Sequence, residues 1–137
     1  MVGTSGSGKT TVGRALAARL GVPFVELDSI FHQPGWTELP EEEFRARVGA
    51  VVAADAWVVD GNYSAVRGLI WERADTVVWL DLPRTAVMRQ LVPRTLGRMI
   101  SRRELWNGNR ESFKFLFRPD ESILWWAWAK HGTYRQR

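Results

Sequence analysis

The amino-acid sequence predicts an α/β fold, in which helices cover both faces of a parallel β-sheet. Short apolar runs alternate with helix patterns along the chain, and this order is typical of parallel sheets. A glycine-rich turn opens the first helix, and three of the apolar runs end in an aspartate. Because parallel strands end at the same edge of a sheet, we expect the turn and the aspartates to lie together, where such sheets bind ligands.

Length and composition are those of one small domain, which we place at residues 1–137. The 137 residues are 45% hydrophobic and 25% charged, as in ordinary globular proteins. There is no cysteine, so disulfides and thiolate metal sites are excluded. No apolar run is long enough to cross a bilayer, and the N-terminus has no signal-peptide pattern. We therefore expect a cytoplasmic protein without a membrane partner.

The N-terminal half contains two helix patterns separated by a strand and a loop. A helix is expected from Thr10 to Leu20, because apolar residues recur at helical spacing and a glycine and a proline follow. Residues 24–28 form a strand pattern that ends in Asp28, and residues 32–39 predict a loop. A second helix is expected over residues 40–54, since its proline and glutamates favour a helix start.

Two further strand patterns each end in an aspartate. Residues 57–60 are apolar up to Asp60 and are stopped by a glycine and an asparagine. A short helix is expected over residues 66–73. Residues 76–81 repeat the strand pattern and end in Asp81. These strands carry the carboxylates that the fold is expected to bring to one edge.

The ends of the chain predict shortened elements. A long helix is expected from Arg84 to about Leu105, with Pro93 as a candidate break, and a last helix over residues 121–130. Only Met1 and Val2 precede the glycine-rich turn, whereas strands are usually about five residues long. We therefore expect a first strand that is shortened, with C-terminal elements that are shortened as well.

The glycine-rich turn matches the pattern G-x-x-x-x-G-K-[ST] in full over residues 3–10. Glycines allow the amide groups to approach phosphate oxygens, and the following helix N-terminus favours an anion. Lys9 can reach the β- and γ-phosphates, and the Thr10 hydroxyl can bind Mg²⁺. The expected cofactors are ATP and Mg²⁺, bound by Gly3, Ser5, Gly6, Ser7, Gly8, Lys9, Thr10 and Thr11. The alternative, a flexible glycine- and serine-rich terminus, does not explain why a helix begins at the lysine.

The phosphate loop and two later strings resemble the small P-loop kinases, such as adenylate, shikimate and gluconate kinases. The strings are W-V-V-D-G-N-Y at 57–63 and V-V-W-L-D-L-P-R at 77–84. Among these kinases the chain most resembles the adenylate-kinase-like group labelled DNA topology modulation proteins. That similarity rests on D-S-I-F-H at 28–32, D-G-N-Y at 60–63 and R-E-L-W-N-G-N-R-E-S at 103–112. The resemblance implies a three-layer P-loop NTPase fold that transfers the γ-phosphate of ATP to a small acceptor, either a nucleotide or a hydroxyl metabolite.

The resemblance also implies roles for the carboxylates. Asp60 takes the place of the aspartate that holds Mg²⁺ through water, together with Thr10. Asp81 fits the same strand-end pattern, and a purely turn-capping role for Asp60 is the alternative. Asp28 is expected to orient an acceptor hydroxyl and accept its proton. The expected acceptor-binding residues are Asp28, Asn62 and Arg67, with a surface role for Arg67 as the alternative.

Basic residues concentrate in the C-terminal part of the chain. Residues 83–137 hold twelve basic and four acidic residues, whereas residues 1–82 hold seven and eleven. A helical, arginine-rich segment at about 94–118 looks like the lid of such kinases. Arg98 and Arg110 are its expected catalytic arginines, which would offset the charge of the transferred group. A solvated basic face is the alternative explanation.

Two other functions stay open. The basic C-terminal part and the group's label suggest a nucleic-acid-associated ATPase or topology regulator, whose DNA binding would depend on salt. The shortened ends suggest a nucleotide-binding remnant without turnover. The expected partners are a nucleoside triphosphate and a small acceptor, with nucleic acid less favoured. The sequence predicts neither the acceptor nor the oligomeric state.

Overall fold

The computed structural model describes residues 1–101 and 104–110 of the chain. Its strands are β1 Val2–Gly3, β2 Phe24–Glu26, β3 His32–Gln33, β4 Thr37–Glu38, β5 Val58–Asp60 and β6 Trp79–Leu80. Its α-helices are α1 Lys9–Leu20, α2 Leu27–Phe31, α3 Glu41–Val52, α4 Ser64–Trp71 and α5 Arg84–Ser101, and short 3₁₀ turns span Pro34–Trp36 and Trp106–Gly108. The helix expected at 121–130 lies outside the described residues, as does the lid segment beyond residue 110.

The central strands are parallel. β1 pairs with β6, and β2 pairs with β5 so that Glu26 lies opposite Asp60. Met1 joins the two pairs, because its ammonium group donates to the Val59 carbonyl at 2.6 Å and its carbonyl accepts from Gly61 N–H at 3.2 Å. The strands therefore lie side by side in the order β2, β5, β1, β6. The predicted α/β fold is confirmed, and β1 has only two residues, as expected.

The predicted end of the second strand is wrong. The strand expected over residues 24–28 stops at Glu26, and α2 follows at once. Leu27 is fully buried in the core, and the Ser29 hydroxyl donates to the Glu26 carbonyl at 2.6 Å, so burial and a local hydrogen bond favour the turn over further strand. Asp28 therefore lies in the first turn of a helix rather than at a strand end.

The candidate break at Pro93 does not form, and α5 continues through it. A proline inside a helix costs about 3 kcal/mol. α5 buries a continuous side that repeats every four residues, and this packing offsets the cost. That buried side consists of Val87, Leu91, Thr95 and Met99. Within the described residues α5 reaches Ser101, and Glu104 and Leu105, the last residues expected in this helix, are not helical.

The main core lies between α3, α4 and the β2–β5 pair. α3 contributes Phe44, Val48 and Val52, whose four-residue spacing places them on one face. They pack with Leu27 and Val66, which are fully buried. This core fixes the position of α2 and therefore of Asp28.

The loop expected at 32–39 contains a small antiparallel hairpin, in which His32 pairs with Glu38 and Gln33 with Thr37. We call residues 29–37 the acceptor loop, because they directly follow Asp28, which the sequence analysis expects to bind the acceptor. None of the helices within the described ranges combines the length and apolar character needed to cross a membrane.

Candidate active site

The phosphate loop joins the end of β1 to the start of α1. Gly6 and Gly8 have φ angles of 82° and 89°, in the left-handed region that favours glycine. The Ser7 amide donates back to the Thr4 carbonyl at 3.2 Å, which closes a tight turn. Gly3, Gly6 and Ser7 are buried, Ser5, Gly8, Lys9 and Thr10 are half-buried, and Thr11 is exposed. The loop directs a helix N-terminus at the place where an anion would lie.

Lys9, Thr10 and Asp60 form a partly buried polar cluster beside this loop. The Thr10 hydroxyl donates to Asp60 Oδ2 at 2.7 Å, and Lys9 Nζ donates to the Thr4 carbonyl at 2.8 Å. Desolvation by burial raises the pKa of Asp60, although the charge of Lys9 opposes it. Desolvation likewise lowers the pKa of Lys9, against the charge of Asp60. Burial therefore disfavours the charged form of both groups. A bound ligand of opposite charge, an anion at Lys9 and a cation at Asp60, would stabilise the charged forms.

Two buried oxygen atoms in this cluster have no hydrogen-bond partner among the described residues. They are Asp60 Oδ1 and Ser7 Oγ. Buried polar atoms are nearly always satisfied, so an unpaired one calls for an explanation. Carboxylate and hydroxyl oxygens suit Mg²⁺, which usually takes one or two protein ligands and completes its shell with water and phosphate. The residues present therefore fit Mg²⁺ held by Thr10 and by Asp60.

The described residues contain no group of three or more histidines or carboxylates that could hold a metal ion by itself. Asp81, the other candidate at a strand end, is exposed, whereas Asp60 bonds directly to Thr10. Of the two carboxylates, Asp60 has the position that a metal ligand needs.

Asp28 lies in the first turn of α2. The Tyr63 hydroxyl donates to Asp28 Oδ1 at 2.5 Å. The Tyr63 ring is fixed in turn by Phe31 and Phe44, with ring centroids 4.8 and 5.2 Å away. The charge of Asp28 acts on both Lys9 and Asp60. Asp28, Lys9 and Asp60 therefore converge on one site.

The predicted arginines lie in different places. Arg98 is half-buried on α5, and Arg110 pairs with Glu104 at 2.5 Å beside the acceptor loop. Sequence patterns gave no reason to prefer Arg94 over Arg98, yet the charge of Arg94 adds to the burial that lowers the pKa of Lys9. The sequence feature that pointed to Arg94 is its spacing of four residues from Arg98, which places both on one helix face. The catalytic roles of Arg98 and Arg110 stay predictions.

Asn62 and Arg67 contact each other and line a cavity outside the Lys9–Asp28 site. Arg67 Nε donates to Asn62 Oδ1 at 3.3 Å, and its guanidinium group lies over the Trp71 ring at 5.9 Å. Both residues border a cavity of about 380 Å³ whose lining includes neither Lys9 nor Asp28. Their role as acceptor contacts therefore stays a prediction. Tyr63, which touches Asp28, is the acceptor-side residue that sequence reasoning missed, although it ends the D-G-N-Y string.

Comparison with known proteins relates the chain to kinases. The family model described as shikimate kinase matches residues 5–115. The chain is 36% identical over 123 residues to a shikimate kinase of Symbiobacterium thermophilum, and this alignment covers 79% of this chain and 68% of that protein. It is 35% identical over 103 residues to the Ruegeria pomeroyi shikimate kinase (58% and 53% covered) and 30% identical over 105 residues to that of Synechococcus elongatus (66% and 55% covered).

The chain thus spans between about half and two thirds of the length of these relatives. No solved structure matches it significantly. The matches support the P-loop kinase superfamily that the sequence strings resemble. They give no support to the DNA topology modulation group.

Proposed function

The chain belongs to the shikimate kinase family, and from this membership and the site we propose that it transfers the γ-phosphate of ATP to a hydroxyl group of a small metabolite. The family consists of ATP-dependent phosphotransferases that use Mg²⁺. The observation that carries the proposal is the hydrogen bond of 2.7 Å between Thr10, at the end of a complete phosphate loop, and Asp60 of β5. Lys9 lies next to this bond in the same loop. A turn-capping role for Asp60 alone does not explain its unpaired, buried Oδ1.

The phosphate loop and Lys9 would bind the triphosphate. Burial disfavours the ammonium charge of Lys9 and lowers its pKa, so phosphate oxygens would be a more favourable partner than the Thr4 carbonyl it now contacts. Thr10 and Asp60 would hold Mg²⁺, Asp60 through water, and the ion when bound would neutralise charge on the phosphates. The loop amides would hold the phosphate groups in line for transfer.

Asp28 would act on the acceptor. The acceptor hydroxyl oxygen attacks the γ-phosphorus, the bond from that phosphorus to the oxygen bridging to the β-phosphate breaks, and ADP leaves. Asp28 orients the hydroxyl and takes its proton. Tyr63 holds one carboxylate oxygen of Asp28, which leaves the other for the acceptor. Arginines of α5 and beyond would offset the charge that spreads over the transferred group.

The first acceptor to test is shikimate, because the relatives are named for its phosphorylation. The experiment mixes the chain with Mg·ATP and follows ADP by a coupled assay, with and without shikimate, and then with other hydroxyl metabolites and nucleotides. We expect ADP only when an acceptor is present, and a loss of at least 100-fold in Asp28→Asn. Glu42→Gln, which alters an exposed carboxylate on α3, is the matched control. Equal turnover in Asp28→Asn and wild type would reject the role of Asp28.

A nucleic-acid-associated ATPase is the second candidate, and it rests on the twelve basic residues in 83–137. Affinity that arises from phosphate contacts falls steeply with salt. A gel-shift series with duplex DNA at rising salt tests it, and the absence of a shift even at low salt removes the candidate.

A further inference from the structure

The segment Glu104–Arg110, which the sequence suggests as part of a phosphate lid, packs against the acceptor loop. We call it the clamp turn. Asn109 is 4% exposed, and its side-chain amide makes two hydrogen bonds. Its Nδ2 donates to the Gln33 carbonyl and its Oδ1 accepts from the Trp36 amide, both at 2.9 Å. One buried side chain therefore joins the end of β3 to the residue just before β4, more than 70 positions earlier in the chain.

Asn107 makes a second pair of bonds closer to Asp28. Its φ of 55° is in the left-handed region, which asparagine tolerates better than most residues. Its Nδ2 donates to the His32 carbonyl at 2.5 Å and to the Ser29 carbonyl at 3.1 Å. Ser29 directly follows Asp28, so these bonds reach the residue next to the proposed acceptor carboxylate.

Aromatic and charged groups extend the contact. The Trp106 ring stacks on His32, with centroids 6.1 Å apart and planes 26° apart, and Trp36 meets the same imidazole edge-on at 5.4 Å. The Trp106 indole donates to Glu26 Oε2 at 3.2 Å, and Glu26 also pairs with Arg14 of α1. The clamp turn is thus bound to the sheet edge as well as to the acceptor loop.

Arg110 also takes part in this contact. Its guanidinium group pairs with Glu104, and its carbonyl accepts from the Trp36 indole at 3.2 Å. Every hydrogen bond named here between the clamp turn and the body of the protein falls on residues 26–36. The phosphate loop is contacted by a different element, because Leu91 of α5 lies against Gly6.

We propose that Asn109 is a positioning residue for the acceptor: through the clamp turn it fixes the acceptor loop next to Asp28 and so sets the affinity for the hydroxyl metabolite rather than for ATP. The inference rests on the proposed kinase function. Two buried side-chain hydrogen bonds to the backbone hold the loop in one arrangement. Without them the loop would lose conformational entropy when the acceptor binds, and this loss would weaken the affinity for the acceptor.

The test separates the Michaelis constants of the two substrates, with shikimate as the acceptor. Asn109→Leu removes both bonds at similar volume, whereas Asn109→Asp keeps the oxygen that accepts from the Trp36 amide. We expect the acceptor KM to rise on the order of 10-fold in Asn109→Leu and less in Asn109→Asp, with the ATP KM within about twofold of wild type. Gln90→Leu, which alters an exposed amide on α5, should change neither constant.

Hydrogen exchange gives a second readout. The Trp36 amide should exchange faster in Asn109→Leu, while amides of the phosphate loop and the thermal shift caused by Mg·ATP stay as in wild type. An unchanged acceptor KM together with faster exchange at Trp36 would overturn the proposal, as would an equal rise in both KM values. Wild-type protein that forms no ADP with any acceptor would instead reject the kinase function itself, and this inference with it.

Discussion

The contact between α5 and the phosphate loop can be tested by adding one methyl group at either of two glycines. A Cβ at Gly6 would lie 3.0 Å from Leu91 Cβ and 3.2 Å from the Val87 carbonyl oxygen. A Cβ at Gly8 would meet nothing within 4 Å. The two residues have nearly the same φ, 82° and 89°. Gly6→Ala and Gly8→Ala therefore differ in packing and share the backbone strain.

The expected magnitudes follow from these distances. A left-handed conformation costs a residue other than glycine about 1–2 kcal/mol, and this term applies to both variants. Overpacking a methyl group against well-packed neighbours adds about 1–3 kcal/mol, and this term applies only at Gly6. We therefore expect a loss of about 1–2 kcal/mol for Gly8→Ala and about 2–5 kcal/mol for Gly6→Ala.

Urea unfolding followed by circular dichroism measures the difference. Gly49→Ala is the control, because Gly49 lies within α3 with open space around it, and alanine there should stabilise the protein by about 0.5–1 kcal/mol. Equal losses in Gly6→Ala and Gly8→Ala would refute the packing of α5 on the loop. A loss at Gly49 would show that the helical assignment around it is at fault.

Three further outcomes are expected. Asp60→Asn should stabilise the ligand-free protein at neutral pH and remove Mg²⁺-dependent ATP binding. Burial raises the pKa of Asp60 above its ordinary 3.8, so the stability contributed by the protonated carboxyl group is complete below that pH and is lost as the pH rises through the folded pKa. The stability advantage of the variant in urea unfolding should therefore grow with pH, and an advantage that stays constant would contradict this. Tyr63→Phe keeps the ring contacts with Phe31 and Phe44 but removes the donor to Asp28; kcat should fall roughly 10-fold with the ATP KM unchanged, and a further fall of that size in an Asp28→Asn background would contradict direct coupling. Phe44→Ala, at a fully buried site, should cost about 3–5 kcal/mol in urea unfolding, and a loss below about 1 kcal/mol would contradict its place in the core.

Much of the fold could be predicted because its signals are local. The phosphate loop, α1, α3 and β5 each follow from spacing, caps or an apolar run within a dozen residues. The approach of Asp60 to Thr10 follows from a general property of parallel sheets, whose strands end at the same edge, rather than from any one local pattern. The family resemblance identified the chain as similar to P-loop kinases, and the comparisons support the same superfamily.

The parts that sequence reasoning missed depend on distant contacts. Leu27 belongs to a strand pattern, yet its burial beside α3 favours a helix and moves Asp28. The tie between Asn109 and the acceptor loop joins residues more than 70 positions apart, and no local pattern indicates it. Pro93 has the usual signature of a break, but the buried side of α5 outweighs it. At Leu27 and at Pro93 tertiary packing overrode a local rule.

The central claim is that the loop at residues 3–10 binds the triphosphate with Lys9 as its main charged partner. Calorimetric titration of Mg·ATP into wild type, Lys9→Ala and Arg19→Ala tests it most directly, because Arg19 is an exposed cation on the same helix. We expect Arg19→Ala to bind like wild type and Lys9→Ala to bind roughly 10- to 100-fold more weakly, as expected for the loss of charge-assisted hydrogen bonds. Equal affinity in all three proteins, or no binding to wild type at millimolar ATP, would contradict it.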